Sequence, residues 1–216
     1  LKKLTGRKSS FNVEQESNQK FEKVIIWMPT FRKLRSGERI DSNVELTMGV
    51  PILKNNEDFC KLDEKLASKK VLLVIKIHPM QDTSKIRIRS TNNIVVLDGN
   101  TVKELGIDNY RLMVDTDAMI TDYSSSGTDY LQTQNPLAYT LSDMNEYKLG
   151  FIVENIHELM PGKKIYSLND LLIFIDDVVD GRDKYVKERR VALEKMFKYH
   201  DGRSCQRLAE HMGINK

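Results

Sequence analysis

Cysteine is scarce in this sequence. Cys60 and Cys205 are the only two in 216 residues, they lie far apart, and neither belongs to a CxxC pair. That argues against a disulfide framework and against a cysteine-built zinc site, and it fits a reducing cytoplasm. No apolar run approaches the ~20 residues a membrane-crossing helix needs. No signal peptide, repeat or low-complexity tract is visible. An excess of one charge is missing as well: 34 basic and 31 acidic residues leave a net charge of +3. That balance does not suit a dedicated nucleic-acid binder, which needs clustered Lys and Arg, so no nucleic-acid partner is expected. It is compatible with an anionic small ligand or an acidic membrane surface. An initial methionine is also absent. The opening LKKLTGRKSS is what a piece excised from something longer would show.

What is present is enough apolar material to bury a core, 40% of the residues, in a length that suits one large domain or two small ones. Short, strongly apolar runs alternate with stretches of helical periodicity. Strands are expected at VIIW (24–27), VLLVIKI (71–77), NIVVLD (93–98), AMIT (118–121) and NPLAYTL (135–141). Helices are expected over 56–70, as one or two short pieces over 101–117, and over 124–134, 167–181, 183–200 and 201–213. Residues 5–23 are polar, and 33–49 show no clear period and read as a long loop. Such alternation predicts an α/β fold: a Rossmann-like parallel sheet with helices on both faces. The division expected is a polar segment at 1–23, a nucleotide-binding domain at 24–166, and C-terminal helices at 167–216 packing on that domain.

In open parallel sheets ligands bind beyond the carboxyl ends of the strands. Three loops follow strands here. In MPTFR (28–32), Pro29 stops the strand, Thr30 offers a hydroxyl, and Arg32 carries a planar donor fork suited to phosphate; a solvated surface arginine is the plainer alternative. In KIHPM (76–80), Lys76 and His78 alternate with apolar residues and so share a face at the strand end. His78 suits contact with a phosphate oxygen or acid catalysis near neutral pH, or else a half-buried place against a carbonyl. The richest stretch is ITDYSSSGTDY (120–130). Thr121, Ser124 and Ser125 sit where a strand hands over to a helix, and the two serines can cap the helix or bind phosphate directly. Gly127 permits close approach of backbone or ligand. Asp122 would repel an adjacent phosphate, so it suits orienting Arg32 or His78, or accepting from a sugar hydroxyl. Asp129, one turn on, suits a ribose hydroxyl or open solvent. Together the three loops make a candidate anion site.

These pieces, in this order, resemble the bacterial CDP-glycerol glycerophosphotransferases of teichoic acid synthesis. The family pattern runs through "APTWR", "HP", "ITDYSS" followed by an Asp, "Y…RGF", "PG" and "DG…R". The present chain has MPTFR (28–32), IHP (77–79), ITDYSSSGTDY (120–130), EYKLGF (146–151), MPG (160–162) and HDGRSCQR (200–207). The resemblance covers roughly residues 20 to 210. It implies a GT-B architecture of which this chain is the C-terminal, donor-binding half, facing an N-terminal GT-B domain in the parent protein. It implies transfer of glycerol phosphate from CDP-glycerol to a polymer or lipid-linked primer with release of CMP. No cofactor or bound metal is implied. Carried over by position, Arg32 and His78 would contact the pyrophosphate, His78 would assist departure of CMP, Ser124 and Ser125 would bind phosphate, and Asp129 would meet ribose or glycerol hydroxyls. Thr30, Lys76, Thr121 and Asp122 complete the expected binding set.

The chain departs from the pattern in three places. Leu149 stands where the family has the "RGF" arginine, which removes a basic contact. The family's "GxPRND" segment is represented only by LTGRKSSF (4–11). The "HGT" histidine, the family's proposed general base, belongs to the N-terminal half. A chain starting at Leu1 is therefore expected to bind nucleotide weakly and not to turn over. Helix 183–200, with Lys184, Lys187, Arg189, Arg190, Lys195 and Lys198 beside Tyr185, Val186, Leu193 and Phe197, either lies on an anionic membrane surface or packs on the sheet through its apolar stripe. The location implied is cytoplasmic, with peripheral attachment to the inner face of the cell membrane left open. Two rival functions remain: a GT-B glycosyltransferase using a nucleotide sugar, and a non-catalytic domain that binds a nucleotide or another anion.

Overall fold

A computed structural model of the chain describes residues 21–32, 42, 44–151 and 153–214. Most of the expected polar N-terminal segment, and most of the expected loop at 33–49, lie outside the described residues. Six strands form one wholly parallel sheet: β1 (Lys23–Trp27), β2 (Val71–Lys76), β3 (Ile94–Leu97), β4 (Ala118–Thr121), β5 (Leu137–Thr140) and β6 (Lys163–Ile165). Their order is β3-β2-β1-β4-β5-β6. The chain first winds outward from β1 through β2 to β3, then returns to the other side of β1. The reversal opens a crevice between the carboxyl ends of β1 and β4, the usual binding place in doubly wound folds. Five of these strands follow the apolar runs. The sixth is a finding beyond the sequence reading, because KKI is three residues long and carries two lysines.

The period of two along each strand divides the core. Ile25, Trp27, Leu73, Ile75 and Ile120 face one side, where Phe59, Leu62 and Leu66 of α1 (Asn56–Ser68) meet Leu171, Phe174 and Ile175 of α5 (Leu168–Val179). Val24, Ile26, Leu72, Val74 and Met119 face the other, against Leu112 and Met113 of α3 (Asn109–Val114) and Tyr130 and Leu131 at the end of α4 (Ser126–Tyr130). Every residue of β2 and β4 is buried, which explains why these strands read as unbroken apolar runs. Each large aliphatic side chain removed from water stabilises the fold by about 1.5–3 kcal/mol, before conformational entropy is set against it. α1 starts where the Asn55 side chain accepts from Asp58 N–H at 2.9 Å. α5 starts at a reciprocal cap in which Ser167 and Asp170 serve each other's backbone.

Three details refine the sequence reading. The stretch 101–117 resolves into α2 (Gly99–Glu104) and α3, each begun by an aspartate cap, Asp98 and Asp108. The helix expected over 124–134 is the five-residue α4 followed by a 3-10 turn at Leu131–Thr133. In α6 (Val186–Met196), Arg189 is not a membrane-facing cation. It is 1% exposed, pairs with both oxygens of Asp183 and donates to the Gln134 carbonyl at 3.0 Å. Ala192 is buried beside it, and Leu193 and Met196 pack on the second core. α7 (Ser204–His211) follows as a terminal helix.

Candidate functional site

The loops after β1 and β4 are tied together behind the crevice. Thr121 Oγ1 donates to the Met28 carbonyl at 2.9 Å and lies 3.2 Å from Ser126 Oγ. Thr121 and Asp122 are both 0% exposed. The Asp122 carboxylate accepts from Thr30 N–H at 2.9 Å, Thr30 Oγ1 at 2.7 Å, Ser124 N–H at 3.1 Å and Arg32 Nη1 at 2.9 Å. The Arg32 fork also reaches Asp143, with Nε at 2.6 Å from Oδ2 and Nη2 at 3.2 Å from Oδ1, and Nη1 donates to the Thr30 carbonyl at 2.6 Å. Burial works against the Arg32 charge, but the carboxylates of Asp122 and Asp143 outweigh it, so its pKa is raised. Arg32 is thus spent on two buried carboxylates and does not line the cleft in front of them. The expectation that it offers its fork to phosphate meets a different geometry: Arg32, Thr30, Thr121 and Asp122 form the wall behind the site. Asp143 was missed by sequence reading. It lies just past β5, on the same sheet edge that singled out the other loops, and inspecting that fourth loop would have found it.

In front of this wall is a cleft of about 430 Å³ lined by Lys76, His78, Ser124, Ser125, Ser126 and Asp129, with Asn109, Tyr110 and Met113 of α3 at its other side. His78 is fixed from two directions. Its Nδ1 accepts from Met80 N–H at 3.2 Å, which makes Nε2 the proton-bearing nitrogen, and its ring packs 5.0 Å from that of Phe31. Arg32 N–H donates to Gln81 Oε1 at 3.0 Å, linking the loop after β1 to the loop after β2. Ser124 Oγ accepts from Ser126 N–H at 3.3 Å and from Ser126 Oγ at 3.0 Å. Ser125, at the helix start, makes no capping bond and is exposed. Capping therefore falls to Ser124 and leaves the Ser125 hydroxyl available. Gly127 is required for close approach: a Cβ there would stand 3.0 Å from Thr121 Cγ2 and 3.2 Å from the Tyr139 ring.

Lys76, expected beside His78, lines the cleft with it. At the end of β2 it is only 4% exposed as a residue, and among the described residues no hydrogen bond or ion pair involves its ammonium. Burial lowers its pKa from the ordinary lysine value. An ammonium on a largely buried stem, open only to a cleft and without a counter-charge, is suited to an anionic ligand. Burial also raises the pKa of Asp129, which lies on α4 one turn after Ser125. The cleft is thus lined by one ammonium, one imidazole, several hydroxyls and the single carboxylate of Asp129. That arrangement can hold a phosphate group next to a hydroxyl-bearing unit. Among the described residues no cluster of His, Cys, Asp and Glu has the makings of a metal site, and no helix is long and apolar enough to cross a membrane.

Comparison with known proteins identifies the family of this chain. The teichoic acid ribitol-phosphate polymerase TarK of Staphylococcus aureus (strain NCTC 8325 / PS 47) is 27% identical over 194 residues, covering 89% of this chain and 34% of its own length. The teichoic acid glycerol-phosphate primase of Bacillus subtilis (strain 168) is 26% identical over 210 residues, covering 94% and 46%. The chain thus spans less than half the length of these relatives. Among solved structures, the wall teichoic acid polymerase TagF superposes with a TM-score of 0.59 at 21% identity, over 89% of this chain and 44% of TagF, a likeness of fold. Residues 4–212 match the family described as CDP-Glycerol:Poly(glycerophosphate) glycerophosphotransferase. This chain belongs to that family.

Proposed function

We propose that the chain is the donor-binding part of a transferase that moves a polyol phosphate from a CDP-polyol to a teichoic-acid-type polymer or lipid-linked primer and releases CMP. The observation that carries the reading is the Lys76 ammonium, on a largely buried side chain and without a protein counter-charge among the described residues, in one cleft with His78 and the Ser124–Ser126 hydroxyls. In phosphoryl transfer the protein contributes mainly positioning and charge stabilisation. An acceptor hydroxyl attacks the phosphorus next to the polyol, the bond to the CMP oxygen breaks, and negative charge gathers on the departing CMP. Lys76 and His78 Nε2–H meet that charge, Ser124 and Ser125 hold phosphate oxygens, and Asp129 accepts from a hydroxyl of the ribose or polyol. Arg32 acts through others: by holding Asp122 and Asp143 it fixes Thr30 and Ser124. The base that takes the acceptor's proton is assigned, by the family resemblance, to the N-terminal half of the parent protein, and the parent's polymer acceptor approaches from that side. A TagF variant soaked with CDPG has the same fold as this chain, with a TM-score of 0.61, which agrees with a CDP-linked donor here.

Calorimetric titration of CDP-glycerol, CDP-ribitol, CMP, UDP and a UDP-sugar tests this, with Lys76→Ala and His78→Ala beside wild type. Cytidine compounds are expected to bind, and both substitutions to weaken them. A preference for uridine compounds would instead favour a nucleotide-sugar glycosyltransferase.

A further inference from the structure

Gln81 is not among the residues that line the cleft, yet its bonds join two of the loops that do. His78, Pro79, Met80 and Gln81 form a tight turn just past β2. The His78 carbonyl accepts from Gln81 N–H at 2.9 Å, and proline takes the second position, where its fixed φ suits a turn. Inside the turn, Met80 N–H donates to His78 Nδ1. The turn therefore sets the imidazole. Its far end is anchored by the Gln81 side chain: Oε1 accepts from the Arg32 main-chain N–H at 3.0 Å, and Nε2 donates to the Asp82 carbonyl at 3.2 Å. A donor on one side and an acceptor on the other allow the amide a single orientation. From the loop that carries Arg32, the buried Phe31 ring packs 5.0 Å from the imidazole.

Arg32 thus reaches two parts of the cleft by two routes. Its guanidinium holds Asp122, which accepts from Ser124 N–H. Its main-chain N–H holds Gln81 and, through the turn, His78. Arg32 is a firm anchor, because its buried side chain is braced by both Asp122 and Asp143. A neutral imidazole carries its proton on one nitrogen or the other, and only the form protonated at Nε2 lets Nδ1 accept from Met80. We propose that Gln81 is a positioning residue: by tying the turn to the braced main chain of Arg32, it holds His78 in one ring orientation and one tautomer, with the proton on Nε2. The inference deepens the proposed function and rests on it for the role of His78 towards phosphate. The tautomer itself is read without any ligand.

The test compares wild type with Gln81→Ala and Gln81→Met. Both remove the acceptor for Arg32 N–H, and the second keeps the bulk. Both are expected to fold, since Gln81 is half-buried and the ion pairs that brace Arg32 are untouched. Nitrogen NMR of the isotope-labelled, unliganded protein reads the His78 tautomer. Wild type is expected to show the proton on Nε2 alone, and both variants a mixture of the two forms. Calorimetry with CDP is the second arm. Each variant is expected to lose about three- to tenfold in affinity, the worth of one hydrogen bond. In a His78→Ala background, Gln81→Ala is expected to change that affinity by less than about twofold, because its effect passes through His78. If wild type binds no CDP, the nucleotide reading fails, and the tautomer arm alone decides the role of Gln81. If both variants keep the single Nε2–H tautomer, or their loss of affinity persists undiminished without His78, the positioning role is overturned.

Discussion

Two cations are buried at the same edge of the sheet, and they are handled in opposite ways. Arg32, 3% exposed, is held by both Asp122 and Asp143. Lys76, 4% exposed, ends β2, two strands from β4 and three from β5, and its ammonium lines an open cleft with no protein partner among the described residues. A cation whose charge is answered inside the fold is part of the scaffold. One whose charge is left unanswered beside a cleft is suited to an anionic ligand. Sequence reading offered both to the ligand, because the guanidinium fork is a familiar phosphate ligand; it named Asp122 as an orienter of Arg32 but not Asp143, which takes the rest of the fork from 111 positions away.

The largest expected effect comes from breaking the scaffold pair. Arg32→Ala strands two buried carboxylates and should cost about 3–5 kcal/mol of stability in urea unfolding, enough to leave little folded protein. Retention of wild-type stability would mean the pair is not the scaffold described here. Next is Lys76→Met, which removes an unpaired buried charge and keeps the chain's bulk. Stability should hold or rise, while the affinity for CDP should fall about 10- to 100-fold, the worth of a charged hydrogen bond. A loss of stability with affinity intact would place Lys76 in the scaffold after all.

The third test uses pH. The native pKa of Lys76 is lowered, so between that value and the unfolded lysine value the unfolded chain binds more protons. The penalty is therefore present at lower pH, and stability of the unliganded protein grows as pH rises towards the ordinary lysine range. Lys164, lowered to about 8 by burial, contributes with the same sign. The informative quantity is thus the increment that wild type shows and Lys76→Met lacks. Affinity for CDP should move oppositely and weaken as Lys76 loses its proton. The smallest effect belongs to Ser125→Ala. With no capping bond to lose, its stability should stay within about 0.5 kcal/mol of wild type, and only phosphate affinity should drop, by a few fold.

The strands that matter most were legible because both faces of the sheet are covered. VIIW, VLLVIK and AMIT have no polar face to show, so each reads as a continuous apolar run that a turn residue ends. β6 was hidden because its lysines find outlets that only the folded chain supplies: Lys163 pairs with Asp177 at 3.0 Å, and Lys164 donates to the carbonyls of Met160 and Gly162. The three loops were legible as well, since strand ends in a parallel sheet converge on one edge. Their internal division was not. Thr30 and Asp122 are 92 positions apart, and Arg32 and Asp143 are 111 apart. Nothing local to either partner tells whether a hydroxyl or a guanidinium will be used within the fold or offered to a ligand.

By itself, then, the sequence determined the layered parallel architecture and the edge at which the chemistry gathers, because both follow from periodicities and breakers that act over a few residues. Only the tertiary structure decided which side chains at that edge are wall and which are lining. That choice depends on where distant carboxylates come to rest, and on the high cost of leaving a buried charge unanswered. It made Arg32 a brace and left Lys76 lining the cleft.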